Sequence, residues 1–145
     1  MTPAGPKVLE YNVRFGDPET QRMMLLLAEE TDLAAVLLAC TDGKLDSVTL
    51  AVRPGYACNV IIAAGGYPGA YESGDTITIG ELPRDVHVFH AGTKLVDGDL
   101  KTAGGRVVSV AALGDSLEQA VEAAYRGVDA VSFKHMYYRR DIARR

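Results

Sequence analysis

The sequence predicts an α+β chain in two parts, and a change in hydrophobic period along the chain is the main reason. Residues 1–46 combine one strand-like stretch with two helical stretches, too few elements to close a core alone. From about residue 47, short apolar runs alternate with turn residues, and one long amphipathic helix follows. We therefore expect a small barrel-like or sandwich-like domain of antiparallel strands over residues 47–145.

Composition and charge narrow the class of protein. The 145 residues are 48 % hydrophobic with a net charge of −4, which suits one domain, or a small domain plus a piece of another. The negative charge argues against a general nucleic-acid binder. The sequence contains neither a signal peptide nor an apolar run of roughly 18–20 residues, so we expect a cytoplasmic protein with no membrane partner. Cys40 and Cys58 lack metal-site spacing and are predicted to be buried free thiols.

The segment from Lys7 to Gln21 carries the main candidate site. Read with a period of two, Leu9–Phe15 is a strand with one apolar face, and its other face presents Glu10, Asn12 and Arg14. Glutamate and asparagine offer the oxygen ligands that Mg²⁺ takes, and Arg14 could form a fork against a phosphate or carboxylate. An edge strand with a solvated polar face is the other interpretation that the pattern allows.

The residues after this strand predict the start of a helix. Gly16 ends the strand, Asp17 is a strong N-cap residue, and Pro18 and Glu19 suit the first turn. The predicted helix runs from Pro18 to near Glu30. Its free backbone N–H groups would lie beside the polar face and could bind a ligand, although an ordinary cap explains the same residues.

A second helix and a domain boundary follow. The helix is predicted from Leu33 to about Cys40, with Thr31 or Asp32 as its cap and Gly43 placed to end it. Because both helices are apolar on most sides, we expect them to lie between layers. The boundary between the two parts is placed just after residue 46.

Seven strands and one helix are predicted in the second part. The Asp97-Gly98 pair indicates a hairpin, and Asp115 with Glu118 forms a capping pair that opens the long helix. Gly105 and Arg106 form a candidate substrate contact, since glycine permits close backbone approach and arginine offers a fork. The predicted strands are Val48–Arg53, Cys58–Ala64, Thr76–Ile79, Val86–Phe89, Lys94–Val96, Leu100–Thr102 and Arg106–Ala112.

Several blocks of the chain resemble the phosphoribosylamine–glycine ligase family, also called glycinamide ribonucleotide synthetase. Lys7–Gln21 resembles the family phrase KVLEFNxRFGDPETQ, with Tyr11 in place of phenylalanine. The resemblance covers nearly the whole chain, in the order of the family. Its further blocks are Ala63–Gly69, Val88–Lys94, Gly104–Val107, Ala112–Asp115 and Tyr138–Ile142.

The resemblance implies an ATP-grasp ligase of purine biosynthesis that joins glycine to 5-phosphoribosylamine with consumption of ATP. It implies that residues 1–46 are the edge of the ATP-grasp catalytic domain and that residues 47–145 are the C-terminal domain. Glu10 and Asn12 would hold Mg²⁺ (or Mn²⁺) at the ATP phosphates. Arg14 would be the catalytic residue, because it would stabilise the transferring phosphoryl group. The implied substrate-binding residues are Gly16, Asp17, Pro18, Glu19, Gly105 and Arg106.

The resemblance also predicts that the chain is only part of an enzyme. Members of the family are considerably longer, and their N-terminal domain, adenine pocket and phosphate-binding lysine have no counterpart here. We therefore expect this chain to be inactive alone and to require the N-terminal part of the ligase, in cis or as a complementing chain. The alternative is a non-catalytic barrel-like module with a structural or interaction role.

Overall fold

The structure is a computed structural model that describes residue 3 and residues 5–144. Its helices are α1 (Glu19–Leu25), α2 (Leu33–Thr41) and α3 (Leu117–Asp129), with a 3₁₀ helix at Leu45–Ser47. Its strands are β1 (Tyr56–Ala64), β2 (Thr78–Ile79), β3 (Val86–His90), β4 (Thr93–Val96), β5 (Asp99–Thr102), β6 (Arg106–Gly114), β7 (Val131–Ser132) and β8 (Met136–Tyr137).

The core is an antiparallel sheet with the strand order β3-β6-β1-β8. Its two long central strands pair with Val60 opposite Val110, and both read as near-continuous apolar runs because helices lie on both faces. Helix α3 covers one face and α1 packs on β1 and β6 from the other. The predicted α+β class and antiparallel pairing are confirmed. The sheet is open rather than a closed barrel, since β3 and β8 are its edges in the part of the chain that the structure describes.

Helix α3 approaches the sheet closely because it carries small residues on its buried face. Ala120, Ala124 and Gly127 are buried there. A Cβ atom on Gly127 would lie 2.7 Å from Cγ1 of Val110 and closer still to Val86. The bare glycine backbone therefore sets the distance between this helix and strands β3 and β6.

The long helix begins one residue later than the sequence predicted. Its N-cap is Ser116, whose hydroxyl accepts a hydrogen bond from the Gln119 amide at 3.2 Å, and the Gln119 side chain accepts one from the Asp115 amide at 3.0 Å. The expected Asp115–Glu118 capping pair is therefore wrong. Ser116 and Gln119 supply an equivalent box, and Asp115 only links the helix to the end of β6.

The local signals for helix α2 and the hairpin are confirmed. The Asp32 side chain caps α2 by accepting from the amides of Ala34 and Ala35. At the other end Gly43 has a φ of 67°, and the Lys44 amide donates to the Ala39 carbonyl at 2.8 Å, which is a Schellman ending. Strands β4 and β5 form the predicted hairpin, with positive φ at both turn residues, Asp97 and Gly98.

Three predicted elements are shorter than expected. Val48–Arg53 is not a strand: among the described residues, Val52 makes only an isolated bridge to Leu27. This bridge also ends α1 at Leu25 rather than near Glu30, since the backbone of residues 26–28 bonds with that of residues 51–53. The strand predicted at Thr76–Ile79 is confined to Thr78–Ile79.

The strand predicted at Leu9–Phe15 is also wrong in this chain. Residues 6–13 are extended but belong to no strand in the part that the structure describes. The side chains of Leu9, Tyr11 and Val13 are 96 %, 81 % and 93 % exposed. A strand needs a neighbour for its N–H and C=O groups, and the described residues provide none here.

Candidate functional site

The polar side chains of the N-terminal segment lie together, as the period of two predicted. The Asn12 Nδ2 donates to Glu10 Oε1 at 3.3 Å, and the Arg14 Nη2 donates to Asn12 Oδ1 at 3.2 Å. All three residues are exposed. An acid, an amide and a guanidinium therefore form a short row along one side of the extended chain.

The donor set of this row fits an open magnesium site. Glu10 offers carboxylate oxygens and Asn12 an amide oxygen, the hard ligands that Mg²⁺ takes. No cluster of three His, Cys, Asp or Glu residues is found within the described residues, so a closed, all-protein metal cage does not fit them. Mg²⁺ commonly uses one or two protein ligands together with waters and phosphate oxygens, and Glu10 with Asn12 meets that requirement.

The turn after the row does not have the predicted cap. Helix α1 begins at Glu19 with Pro18 in the N-cap position, and it has no side-chain cap hydrogen bond. The expected Asp17 cap is therefore wrong. The Asp17 carboxylate lies instead 3.0 Å from Nη2 of Arg106, because a guanidinium attracts it more strongly than a neutral amide does.

Gly16 brings the turn and the polar row together. A Cβ atom on Gly16 would overlap the Glu19 carboxylate and lie 3.6 Å from Nη1 of Arg14. The Glu19 side chain thus folds back over the glycine, on the side where Arg14 lies. The Thr20 amide donates to the Gly16 carbonyl at 3.0 Å and closes the turn. Glu19 and Arg14 consequently share one side of the Gly16–Glu19 turn.

Two residues of the sheet, Arg106 and Asn59, hold this turn by long-range contacts. The Arg106 side chain of β6 pairs with the Asp17 carboxylate and also donates to the Asp17 carbonyl at 3.4 Å. The Asn59 Nδ2 of β1 donates to the Pro18 carbonyl at 2.9 Å. Sequence reasoning missed Asn59. The signal that could have found it is one amide side chain within the otherwise apolar run of β1.

A cleft of about 340 Å³ lies beside the turn, between the start of α1, strands β1 and β6 and the C-terminal residues. Its wall is mostly apolar and aromatic, with three arginines at its border. Arg22, Tyr67 and Tyr137 are lining residues that the sequence did not single out. The polar and aromatic lining residues are Arg22, Asn59, Tyr67, Arg106, Tyr137, Tyr138 and Arg139.

Gly105 has a structural explanation as well as the predicted substrate contact. A Cβ atom there would lie 2.7 Å from Cε2 of Tyr67 and closer to another ring atom. The missing side chain therefore makes room for the Tyr67 ring, which lines the cleft. Gly104 and Gly92 similarly allow two backbone segments to touch. Arg106, next in sequence, is placed by this packing opposite the Gly16–Glu19 turn.

The two cysteines differ in their exposure to solvent. Cys58 is buried in β1, and burial raises the pKa of its thiol, with a smaller opposing effect of the Arg22 charge. Cys40 is exposed on α2, so the prediction of two buried thiols is right for Cys58 and wrong for Cys40. On the same helix Leu37 and Leu38 are also exposed, whereas Val36 and Ala39 are buried.

Comparison with known proteins identifies the second part of the chain. Residues 57–145 match the family described as "Phosphoribosylglycinamide synthetase, C domain". The match contains all of β1 but its first residue, strands β2 to β8 and helix α3, and therefore both residues that hold the turn, Asn59 and Arg106. In the described part of the chain, no helix is long and apolar enough to cross a membrane.

Curated relatives are similar over nearly the full length of the chain. A bifunctional purine biosynthetic protein of Schizosaccharomyces pombe is 52 % identical over 144 residues, which are 99 % of this chain and 18 % of the relative. Phosphoribosylamine–glycine ligase of Synechocystis is 52 % identical over 146 residues, or 98 % of this chain and 34 % of the relative. The chain thus spans about a third of the length of such a ligase and less of the bifunctional protein.

A solved structure of such a ligase is also similar to this chain over nearly its full length. Phosphoribosylamine–glycine ligase from Thermotoga maritima matches 97 % of this chain and 34 % of its own, with a TM-score of 0.74 and 36 % identity. A biotin carboxylase domain from Hydrogenobacter thermophilus, in complex with ADP and its magnesium salt, matches 88 % of this chain and 28 % of its own, with a TM-score of 0.55. At 16 % identity it shares the fold alone. The chain belongs to the phosphoribosylglycinamide synthetase C-domain family.

Proposed function

We propose that this chain is the C-terminal part of an ATP-dependent ligase that joins glycine to 5-phosphoribosylamine. The observation that carries the proposal is the polar row of Glu10, Asn12 and Arg14, which runs into a turn held by the C-terminal domain. A purely structural module has no need of such a row. The similarity to phosphoribosylamine–glycine ligases over almost the whole chain supports the same substrates.

The reaction consists of two displacements. A carboxylate oxygen of glycine attacks the γ-phosphorus of ATP, and the bond to the β-phosphate oxygen breaks to release ADP. The amine of phosphoribosylamine then attacks the acyl carbon, phosphate leaves, and the amine loses a proton to solvent. Because phosphoryl transfer depends mainly on positioning and charge stabilisation, the contribution of the protein is electrostatic.

The polar row has the composition that this chemistry needs. Glu10 and Asn12 would hold a magnesium ion, which when bound neutralises charge on the β- and γ-phosphate oxygens. Arg14 is the catalytic residue in this proposal, since its guanidinium stabilises negative charge on the transferring phosphoryl group. The Arg14 side chain now donates to Asn12, which keeps the guanidinium on the same side as the two oxygen donors.

The Gly16–Glu19 turn is proposed to bind the amine-bearing substrates. Glu19 lies over Gly16 on the side of Arg14, so that its carboxylate can accept hydrogen bonds from an ammonium group while Arg14 faces the reacting carboxylate. Asp17 adds a second negative charge, which Arg106 partly compensates. Gly105 and Arg106 complete the substrate-binding set from the side of the sheet.

The partner in this proposal is the N-terminal part of the same ligase, in cis or in trans, which would provide the ATP-grasp segments. Exposed apolar side chains at the N-terminal segment need cover, and a groove of about 220 Å³ nearby is lined by apolar side chains. The residues of this groove are Phe15, Met23, Met24, Leu26, Leu27, Leu33, Leu50 and Val52. The length of the curated ligases leaves two thirds of their chain to supply that cover.

A hybrid enzyme tests the proposal. This chain replaces the matching third of the Synechocystis ligase, and ADP formation is measured with and without glycine and phosphoribosylamine. We expect turnover that requires both substrates, and the hybrid with Glu10→Gln serves as the matched control with much lower turnover. A hybrid that folds but forms no ADP would instead favour a non-catalytic structural or interaction module.

A further inference from the structure

We propose that Asn59 and Arg106 are positioning residues that hold the Gly16–Glu19 turn in its binding geometry, an inference that rests on the proposed function. Asn59 has no place in the proposed substrate-binding set, and for Arg106 the holding role is separate from the substrate contact proposed above. They lie on adjacent strands, β1 and β6, and contact two consecutive residues of the turn, Pro18 and Asp17. The sequence separations are 41 and 89 residues, so only the folded sheet brings these groups together.

Asn59 holds the turn by a single, partly buried hydrogen bond. Its side-chain amide donates to the Pro18 carbonyl at 2.9 Å, directly before the first residue of α1. Asn59 is 7 % exposed, and its Oδ1 has no hydrogen-bond partner among the described residues. A buried acceptor without a partner is unfavourable for stability. A role confined to stability therefore does not account for an amide at this position, whereas fixing the Pro18 carbonyl does.

Arg106 holds the turn at the neighbouring residue. Its two terminal nitrogens contact the Asp17 carboxylate at 3.0 Å and the Asp17 carbonyl at 3.4 Å. Contact with both the side chain and the backbone of one residue sets the orientation of that residue as well as its position. Both side chains of the pair are partly exposed, so the pair contributes little to stability, and its main effect is on geometry.

The two contacts make the C-terminal domain responsible for the shape of the turn. Helix α1 packs on β1 and β6. The two anchored residues, Asp17 and Pro18, directly precede Glu19, the first residue of that helix. If the anchors are lost, the Glu19 carboxylate is no longer held over Gly16 beside Arg14. Binding of the ammonium group of glycine should suffer first, whereas the ATP phosphates, bound by the polar row, should be affected less.

Amide hydrogen exchange on the 145-residue chain tests the contact without any need for turnover. We expect Asn59→Leu and Arg106→Gln each to raise exchange by roughly tenfold at Thr20 and at residues 23–25 of α1, whose amides are hydrogen-bonded, while residues 107–110 of β6 keep their protection. The matched control is Ser109→Ala, which removes a buried hydroxyl on the same face of the sheet, opposite Ile61. Like the Asn59 Oδ1, this hydroxyl has no hydrogen-bond partner among the described residues. Unchanged exchange at Thr20 and at residues 23–25 in both test variants would overturn the proposal.

Kinetics of the hybrid ligase separate a positioning role from a structural one. We expect Asn59→Leu and Arg106→Gln to raise KM for glycine by about tenfold, with KM for Mg·ATP nearly unchanged, and Arg106→Lys to restore part of the loss. The double variant should lose less than the product of the single effects, since both residues act through one turn. Arg84→Gln is the control, an exposed arginine beside Asp85 at the other end of the sheet.

The outcomes distinguish the two proposals. Equal changes in KM for glycine and for Mg·ATP, or none in either, would show that the anchors only support the fold. An unmodified hybrid without turnover would count against the proposed function and remove the positioning role with it. Active hybrids whose variants behave like Arg84→Gln would overturn the positioning role alone.

Discussion

The Asp17 carboxylate and the Arg106 guanidinium lie 3.0 Å apart although 89 residues separate them in sequence. This pair joins the N-terminal turn to the strand at the centre of the sheet. Both side chains are partly exposed, so the pair adds at most about 1 kcal/mol to the free energy of unfolding. Its importance lies in where it places the turn. It also explains why Asp17 does not cap α1, since its carboxylate is already engaged.

The metal ligands can be tested in a complete enzyme, such as the hybrid ligase. Glu10→Gln and Asn12→Ala should each lower kcat/KM for Mg·ATP by about 10²-fold or more, because charge stabilisation at the phosphates is lost. Both residues are exposed, so the free energy of unfolding should change by no more than about 0.5 kcal/mol. Turnover measured across a range of Mg²⁺ concentrations is the readout. Wild-type turnover at low Mg²⁺ in both variants would remove these residues from the site.

The chain by itself should have no ligase activity. The proposed reaction requires an adenine pocket and a phosphate-binding lysine, which we assign to the N-terminal part of the ligase. The measurement is ADP release by the purified chain in the presence of ATP, Mg²⁺, glycine and phosphoribosylamine. The control adds the separately expressed N-terminal part of the Synechocystis ligase. ADP release that depends on both substrates, from this chain alone, would contradict the prediction.

The N-terminal segment should be the less stable part of the molecule. Amides of residues 8–15 should exchange much faster than those of residues 107–110, since only the latter lie in a paired, buried strand. Hydrogen exchange followed by mass spectrometry of the monomer is the measurement. Equal, slow exchange in both segments would mean that the N-terminal segment has found a strand partner within this chain.

Gly127 should not tolerate even an alanine. The added Cβ atom would overlap Val86 and Val110, so Gly127→Ala should lower the free energy of unfolding by about 1–3 kcal/mol despite the better helix propensity of alanine. Gly80→Ala is the matched control, because its Cβ would lie 3.5 Å from the Ala130 carbonyl, an ordinary contact. Urea denaturation of both variants measures the difference. A Gly127→Ala protein as stable as the control would show that α3 can move away from the sheet at no cost.

The two thiols should differ in reactivity. Burial raises the pKa of Cys58 above its usual value, so less of it is thiolate near pH 8, and access is restricted as well. Iodoacetamide should therefore modify the exposed Cys40 rapidly and the buried Cys58 slowly, and the rate at Cys58 should continue to rise with pH well into the alkaline range. Peptide mass spectrometry after timed labelling gives both rates. Equal rates in the native chain would show that β1 opens readily.

Elements stabilised by neighbours in sequence could be predicted. The central strands, which pair with distant strands, were also predicted, at Cys58–Ala64 and Arg106–Ala112 within the longer β1 and β6. A short continuous apolar run bounded by turn residues is typical of a strand buried on both faces. The Asp32 cap, the Gly43 ending of α2 and the Asp97-Gly98 turn depend on bonds within a few residues and were likewise predictable. The capping box of α3 was misplaced by one residue because two adjacent acid or hydroxyl residues satisfy the same pattern.

Elements that depend on distant partners could not be predicted in the same way. The pattern at Leu9–Phe15 is that of a strand, yet a strand exists only where a neighbour accepts its hydrogen bonds, and the described residues offer none. The end of α1 was missed for a related reason, since residues 26–28 bond to residues 51–53. Local patterns describe what a segment can form, and its partners decide whether it forms.

The candidate site likewise has one part that the sequence alone predicts and one part that depends on the tertiary structure. The sequence by itself determined the polar row, because alternation in an extended chain places Glu10, Asn12 and Arg14 on one side whatever the rest of the fold does. Only the tertiary structure decided that Asn59 and Arg106 hold the turn beside that row. Those contacts form because antiparallel pairing sets β1 and β6 side by side under α1, a geometry that no stretch of neighbouring residues encodes.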